Sequence, residues 1–204
     1  FCQPTRISRS VARFGALALA AILAACGGSD DDGSANAGAT ATLAVLETTD
    51  LHFNVRSYDY FKLAEDKSYG FERTATLVRA ARKELANTLL VDNGDTIQGT
   101  ALADYEATIS PIPCTQQLSM YKAMGALGFD AGTLGNHEFN YGLPFLNQVL
   151  GGGLDVEGVD ATKKCAGAGY PMALANVYSS KTKKPLVQPY TILERTLTAK
   201  GADG

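Results

Sequence analysis

Thr42-Leu43-Ala44-Val45-Leu46-Glu47-Thr48-Thr49-Asp50-Leu51-His52 changes character halfway along. Thr42 to Leu46 is a continuous apolar run, the pattern of a strand buried on both faces, and the residues that follow are polar. The same change recurs twice. Thr88 to Val91 runs into Asp92-Asn93-Gly94-Asp95-Thr96-Ile97-Gln98-Gly99, and Phe129 to Leu134 runs into Gly135-Asn136-His137-Glu138. Two amphipathic stretches lie between. Phe71 to Ala86 puts Leu77, Val78, Ala81 and Leu85 on one helical stripe with Arg79, Arg82, Lys83 and Glu84 off it, and Asn87 is placed to close the helix. Thr115 to Leu127 sets Leu118, Tyr121, Met124, Ala126 and Leu127 at apolar positions. The order is βαβαβ, an α/β class. A further helix is expected at Pro144 to Leu150, ended by Gly151-Gly152-Gly153, and two further strands at Pro171 to Val177 and Tyr190 to Thr198.

Parallel strands joined by helices bring their carboxyl ends to one edge of the sheet, where open α/β folds carry their sites. All three polar clusters fall there, and they contain both histidines of the chain. An Asp-x-His pair such as Asp50 and His52 leaving a strand points both side chains to one side. Carboxylate and imidazole without thiolate suit Zn, Mn or Fe, and Asp95, behind a glycine that permits a tight turn, has two oxygens with which to bridge two ions. A lone loop histidine or an Asp-Gly pair is ordinarily a turn feature, but three such clusters at successive strand ends point to a metal site. No G-x-x-x-x-G-K-[ST] loop and no G-x-S-x-G elbow occurs, and nucleophilic catalysis by Cys114 would need a nearby histidine.

Composition narrows the partners. The 204 residues are 46% hydrophobic and 19% charged with a net charge of −3, which fits a globular domain and excludes collagen-like, coiled-coil and wholly disordered chains. No Lys/Arg cluster lies outside the extreme N-terminus, so a nucleic-acid polymer gains no electrostatic support, while small anions remain suitable partners.

Residues 1–13 carry Arg6, Arg9 and Arg13 and no acid, and the twelve apolar residues Phe14 to Ala25 follow. This is the order of a secretory signal, too short to span a bilayer. Leu23-Ala24-Ala25-Cys26 resembles a bacterial lipoprotein box, with residues 1–25 as the signal peptide and Cys26 as the acylated first residue of the mature chain. Loss of the leader would move the formal charge from −3 to −6. Residues 26–40, rich in Gly, Ser, Asp and Ala, read as a flexible tether, and 41–204 as the folded part. The expected location is the cell envelope, facing the periplasm, with a lipid anchor; Gly27 instead of Asp after the cysteine fits the outer membrane. In that oxidising compartment Cys114 and Cys165 are candidates to pair, although two isolated cysteines fix no geometry. The first residue is Phe, as expected of an incomplete reading frame.

Glu47-Thr48-Thr49-Asp50-Leu51-His52, Val91-Asp92-Asn93-Gly94-Asp95 with Gln98-Gly99, Leu102-Ala103-Asp104-Tyr105 and Gly132-Thr133-Leu134-Gly135-Asn136-His137-Glu138-Phe139-Asn140-Tyr141-Gly142-Leu143 resemble the calcineurin-like metallophosphoesterase domain of the 5′-nucleotidase family. Ala175-Asn176-Val177-Tyr178 and Pro189-Tyr190 resemble its later strands, so the resemblance runs from about Ala41 to the end. It implies a sheet sandwich flanked by helices, two divalent metal ions and hydrolysis of nucleotide phosphoesters. Position by position it makes Asp50 and His52 ligands of one metal, Asp95 the bridge, Asn136 a ligand of the second and His137 the catalytic imidazole.

In the 5′-nucleotidase branch an Asp stands where this chain has Asn140. An amide holds the imidazole by a hydrogen bond but adds no negative charge, which favours the branch that hydrolyses 2′,3′-cyclic nucleotides and 3′-nucleotides. The family's phosphoesterase domain continues through three further metal-binding histidines to a C-terminal domain that holds the base. The chain is therefore expected to stop before the domain is complete and to be inactive by itself. Alternatives are a 5′-nucleotidase, a hydrolase of non-nucleotide esters such as the thiosulfohydrolases, and an inactive lipoprotein remnant.

Overall fold

The structure, a computed structural model, describes residues 38–201. The expected signal peptide at residues 1–25, Cys26 and most of the 26–40 tether lie outside the described residues. The chain divides into two compact units, residues 1–40 with 200–204 and residues 41–199. In the first, Thr40 and Lys200 exchange backbone hydrogen bonds of 3.1 and 2.8 Å.

In the second unit β1 (Ala44–Thr48) leads through a small ribbon, β2 (Tyr58–Asp59) and β3 (Ala64–Glu65), to α1 (Phe71–Glu84) and β4 (Thr88–Asp92). There follow α2 (Ala101–Asp104), which runs into a π-helical turn at Tyr105–Ile109, then α3 (Ser119–Leu127), β5 (Ala131–Gly132), a 3₁₀ turn at His137–Phe139, and α4 (Leu143–Val149). The sheet is parallel in the order β1-β4-β5, with Thr48 beside Asp92 and Asp92 beside Gly132. That register aligns the three carboxyl ends, so the polar clusters after them converge as expected. Among the described residues this one sheet and the ribbon are present, and no helix is long and apolar enough to cross a membrane.

Several sequence expectations need correction. The buried stripe of α1 is Phe71, Ala75 and Val78, while Leu77 is 72% exposed and Leu85 is also exposed. Arg82 prolongs the stripe because its guanidinium donates to the carbonyls of Leu127 and Gly128 at the end of α3, where Gly128 takes the left-handed capping conformation (φ 77°). Strand β1 lies at the edge of the sheet with Val45 60% exposed, so it is not buried on both faces. Asn87 closes no helix, since α1 ends at Glu84 with Leu85 as its cap; its side chain binds the carbonyls of Thr42 and Thr198 and the amide of Thr198 at 2.9, 2.8 and 2.7 Å.

Helix α3 begins at Ser119, four residues later than Thr115, because the buried Glu106 accepts the Ser119 amide at 3.0 Å and fixes the start there. Tyr190–Thr198 forms no strand. Pro171–Val177 contributes a single parallel bridge, Met172 against Gly132, because β5 offers an outer edge only two residues long. Cys114 is bonded to Cys165 in a disulfide closing a separation of 51 residues, which removes it as a nucleophile.

The core takes Val78 from α1, Leu90 from β4, Met120, Tyr121 and Met124 from α3, and Leu146 and Val149 from α4, all buried. Burial of these side chains stabilises the sheet and its helices by roughly 1.5–3 kcal/mol each in transfer terms.

Candidate metal centre

The loop after β1 runs along the loop after β4. Asp50 N–H donates to Gly94 O, His52 N–H to Asp95 O and Phe53 N–H to Thr96 O, at 3.0, 2.9 and 2.8 Å. Asp50, His52, Phe53 and Asp95 all adopt left-handed backbone, φ 53°, 44°, 57° and 56°. Each costs roughly 1–2 kcal/mol against ordinary conformations, and such positions persist where surrounding bonds over-determine them. The loops after β4 and β5 meet at two glycines: a Cβ on Gly94 would stand 2.3 Å from the Gly135 nitrogen. At Gly99 (φ 147°) a Cβ would stand 2.7 Å from the His52 Cβ, so a larger residue would displace that histidine.

This backbone brings one donor atom from each of His52, Asp95 and His137 within 4.8 Å of the others. The two imidazoles lie edge to face, with centroids 5.0 Å apart. Asp50 extends the group, its Oδ1 3.6 Å from His52 Nε2 and its Oδ2 accepting from Thr49 Oγ1 at 2.5 Å. Asp95 Oδ1 accepts the backbone N–H of His137 at 2.8 Å, leaving Oδ2 and the other lone pair of Oδ1 free. Asn136 is exposed immediately before the 3₁₀ turn that carries His137.

The two histidines are held in opposite states. His52 Nδ1 lies 2.9 Å from the carbonyl of Gln98, which only accepts, so Nδ1 carries the proton and Nε2 presents a lone pair to the cluster. Asn140 Nδ2 lies 2.9 Å from His137 Nδ1; the amide donates, so the ring proton sits on Nε2. The first arrangement makes a metal ligand and the second a hydrogen-bond donor. Imidazole and carboxylate donors without thiolate form a set suited to Zn or Mn.

Beneath this surface lie two carboxylates that the sequence reading left without a role. Asp92 accepts from Thr48 Oγ1 and Thr96 Oγ1, both at 2.6 Å, and from the Gly94 amide at 3.1 Å. Burial pushes its carboxyl above the usual range, against the pull of those three donors. Glu138, with no exposed surface, accepts the amides of Asp95, Thr96, Ile97 and Gly135. Nearby, Tyr141 donates to Asp104 Oδ1 at 2.6 Å, and burial followed by that bond raises its phenol so far that it stays protonated. In sequence an acid beside a histidine or in a turn reads as solvated, so the only signal for Asp92 and Glu138 was their place inside the strand-end clusters.

The profile of the calcineurin-like phosphoesterase family matches residues 43–191. The chain is 42% identical over 188 residues to a 2′,3′-cyclic-nucleotide 2′-phosphodiesterase/3′-nucleotidase of Salmonella typhimurium, covering 92% of this chain and 25% of that protein. It is 45% identical over 156 residues to the protein of the same name from Yersinia enterocolitica, covering 76% and 22%. It thus spans about a quarter of the length of these curated relatives. Among solved structures it is similar to the calcineurin-like phosphoesterase YfkN from Bacillus subtilis, with a TM-score of 0.64, 38% identity, and coverage of 78% of this chain and 45% of that one. With the matched segment running from the edge strand past every residue of the cluster, the chain belongs to the calcineurin-like phosphoesterase family.

Proposed function

We propose that the protein is a divalent-metal-dependent hydrolase of nucleotide phosphoesters, acting on 2′,3′-cyclic nucleotides and 3′-nucleotides. The observation that carries the reading is the pair of opposite imidazole states around Asp95: one ring offers a lone pair, the other an N–H. The names of the relatives at 42% and 45% identity support the substrate class. In this reading Asp50, His52 and Asp95 would hold one ion, and Asp95 and Asn136 would contribute to a second. Bound there, the ions would supply charge neutralisation at the phosphoryl oxygens and Lewis acidity toward water.

The protein's own part is orientation. Asn140 fixes the His137 ring, and the Nε2–H donates a hydrogen bond to negative charge developing on the phosphoryl group or on the departing ribose oxygen. Through that donor His137 stabilises the developing charge. Water adds to phosphorus and releases a proton to solvent, the P–O bond to one ribose oxygen breaks, and that oxygen takes up a proton from solvent to become a hydroxyl.

The leader, the Cys26 anchor and the envelope location belong to the same proposal, with residues 41–204 as the phosphoesterase part. They rest on the Arg-rich start, the apolar run and the Leu23 to Cys26 box. Membrane fractionation of Cys26→Ser tests the anchor: release into the soluble fraction is expected, and unchanged membrane association overturns it. The activity is tested on full-length protein with Mn²⁺. His137→Ala should lower kcat by about 10²–10⁴-fold with metal content retained, and Asp95→Ala should lose metal first. Faster turnover of 5′-AMP than of 2′,3′-cyclic AMP would overturn the substrate assignment.

A further inference from the structure

We infer that Glu138 is a positioning residue that presets Asp95, and with it the affinity of the centre for divalent cations. The inference deepens the proposed function and rests on its metal reading. Asp95 stands in left-handed backbone without the freedom of a glycine, so its conformation must be imposed from outside. Its side chain accepts the His137 amide from the loop after β5. The carbonyls of the loop after β4 accept from the loop after β1, and its amides are held by Glu138. Oε1 accepts the amides of Thr96 and Ile97 at 2.5 and 3.2 Å, and Oε2 accepts those of Asp95 and Gly135 at 2.9 and 2.6 Å.

Four acceptor positions of one carboxyl group are filled by four backbone donors. Three of the amides are consecutive in the loop after β4 and the fourth lies in the loop after β5, so one group ties together the two loops that carry Asp95 and His137. The Gly94–Gly135 approach leaves no room for a Cβ, and this is what lets a single carboxylate span both. Glu138 is fully buried and its bonds go to backbone amides; it acts through the direction in which Asp95 points. Partners that orient a metal ligand from behind typically change affinity by about 10–100-fold when removed.

Glu138→Gln separates this role from mere packing. The glutamine has the same shape, but its NH₂ faces two amide N–H groups that then lose their acceptor. On full-length protein titrated with Mn²⁺ by calorimetry, the variant should bind at least about tenfold more weakly than wild type. Leu146→Ala, a fully buried core change in α4 remote in role from the loops, should lower the melting temperature and leave Mn²⁺ affinity within about twofold. Hydrogen exchange gives a metal-free reading: the amides of Asp95, Thr96, Ile97 and Gly135 should be protected in wild type and exchange faster in the variant.

Equal Mn²⁺ affinity in Glu138→Gln, or equal weakening in Leu146→Ala, overturns the assignment while leaving the metal centre standing. Unprotected amides in wild type overturn it even if the variant fails to fold. Wild-type protein that takes up no Mn²⁺ overturns the metal centre itself and this assignment with it.

Discussion

Between Ala44 and Val149 the chain is held mainly by its own backbone, in a parallel ladder and four helices, whereas between Gly151 and Ala199 no helix or strand forms among the described residues. The second stretch is held by side chains reaching across from the first. Cys114 bonds Cys165, Asn87 grips Thr198, and Asp130 pairs with Arg195. Where backbone does meet backbone, it is through single bridges such as Met172 to Gly132. Every residue of the candidate centre, from Asp50 to Asn140, lies in the first stretch. A site needing sub-ångström placement sits on the part whose geometry a repeating ladder dictates.

If the second stretch depends on staples, cutting one should cost more than its exposed surface suggests. Replacing Cys114 and Cys165 by Ser should destabilise by about 4 kcal/mol on the chain-entropy account for a loop of this size, read as a lower denaturant midpoint, with protease cleavage appearing first between 151 and 199. Cleavage starting in β1 to β4 would break the comparison. Asn87→Ala removes three bonds from a buried position and strands the Thr42 and Thr198 groups. About 2 kcal/mol is expected, from the cost of unsatisfied buried polar groups, and Ile192→Ala, at a residue 78% exposed, should stay within about 0.5 kcal/mol.

The smallest effect lies at the ribbon beside the ladder. Glu72 accepts the Ser57 amide at 3.0 Å and pairs with Arg56 at 2.9 Å, and the amide bond first, then the arginine, hold its carboxyl below the ordinary value of 4.5. A depressed folded value means that its stabilisation is present above pH 4.5 and is lost as pH falls through the folded value. Acid titration should therefore release exchange protection at Ser57 before any change in the amides of β4, and Glu72→Gln should remove that step. The surface position and screening keep the energy small.

Much of the ladder half was legible in the sequence. Three apolar runs each followed by a polar cluster specified the β1, β4, β5 order and the edge to which Asp50, His52, Asp95, Asn136 and His137 belong. The exposure of Leu77 was not legible, because apolar residues at helical spacing define a stripe only up to a rotation, and Phe71 with Arg82 settles which rotation is used. Nor were the missing strands at 171–177 and 190–198: β-branched and aromatic residues favour extended backbone, but a strand also needs an edge to pair with, and β5 ends after two residues. Glu138 and Asp92 escaped because their partners are backbone amides, which no side-chain pattern records. The Cys114 to Cys165 bond was undetermined for the same kind of reason, since spacing fixes no geometry.

The register of the parallel sheet also sets a tempo. Ala44 pairs with Thr88 and Val91 with Ala131, so each ladder joins residues some forty positions apart along the chain. No local hairpin nucleates it. Each ladder must close a long loop before its first inter-strand bond repays the lost entropy, and for such topologies folding moves from the microsecond range of helical bundles toward milliseconds or slower. The backbone hydrogen bonds of α1 are local and need no such closure, whereas the three polar loops meet only through the paired strands that carry them. The edge that carries the candidate centre is therefore assembled by long-range pairing: it needs both ladders closed.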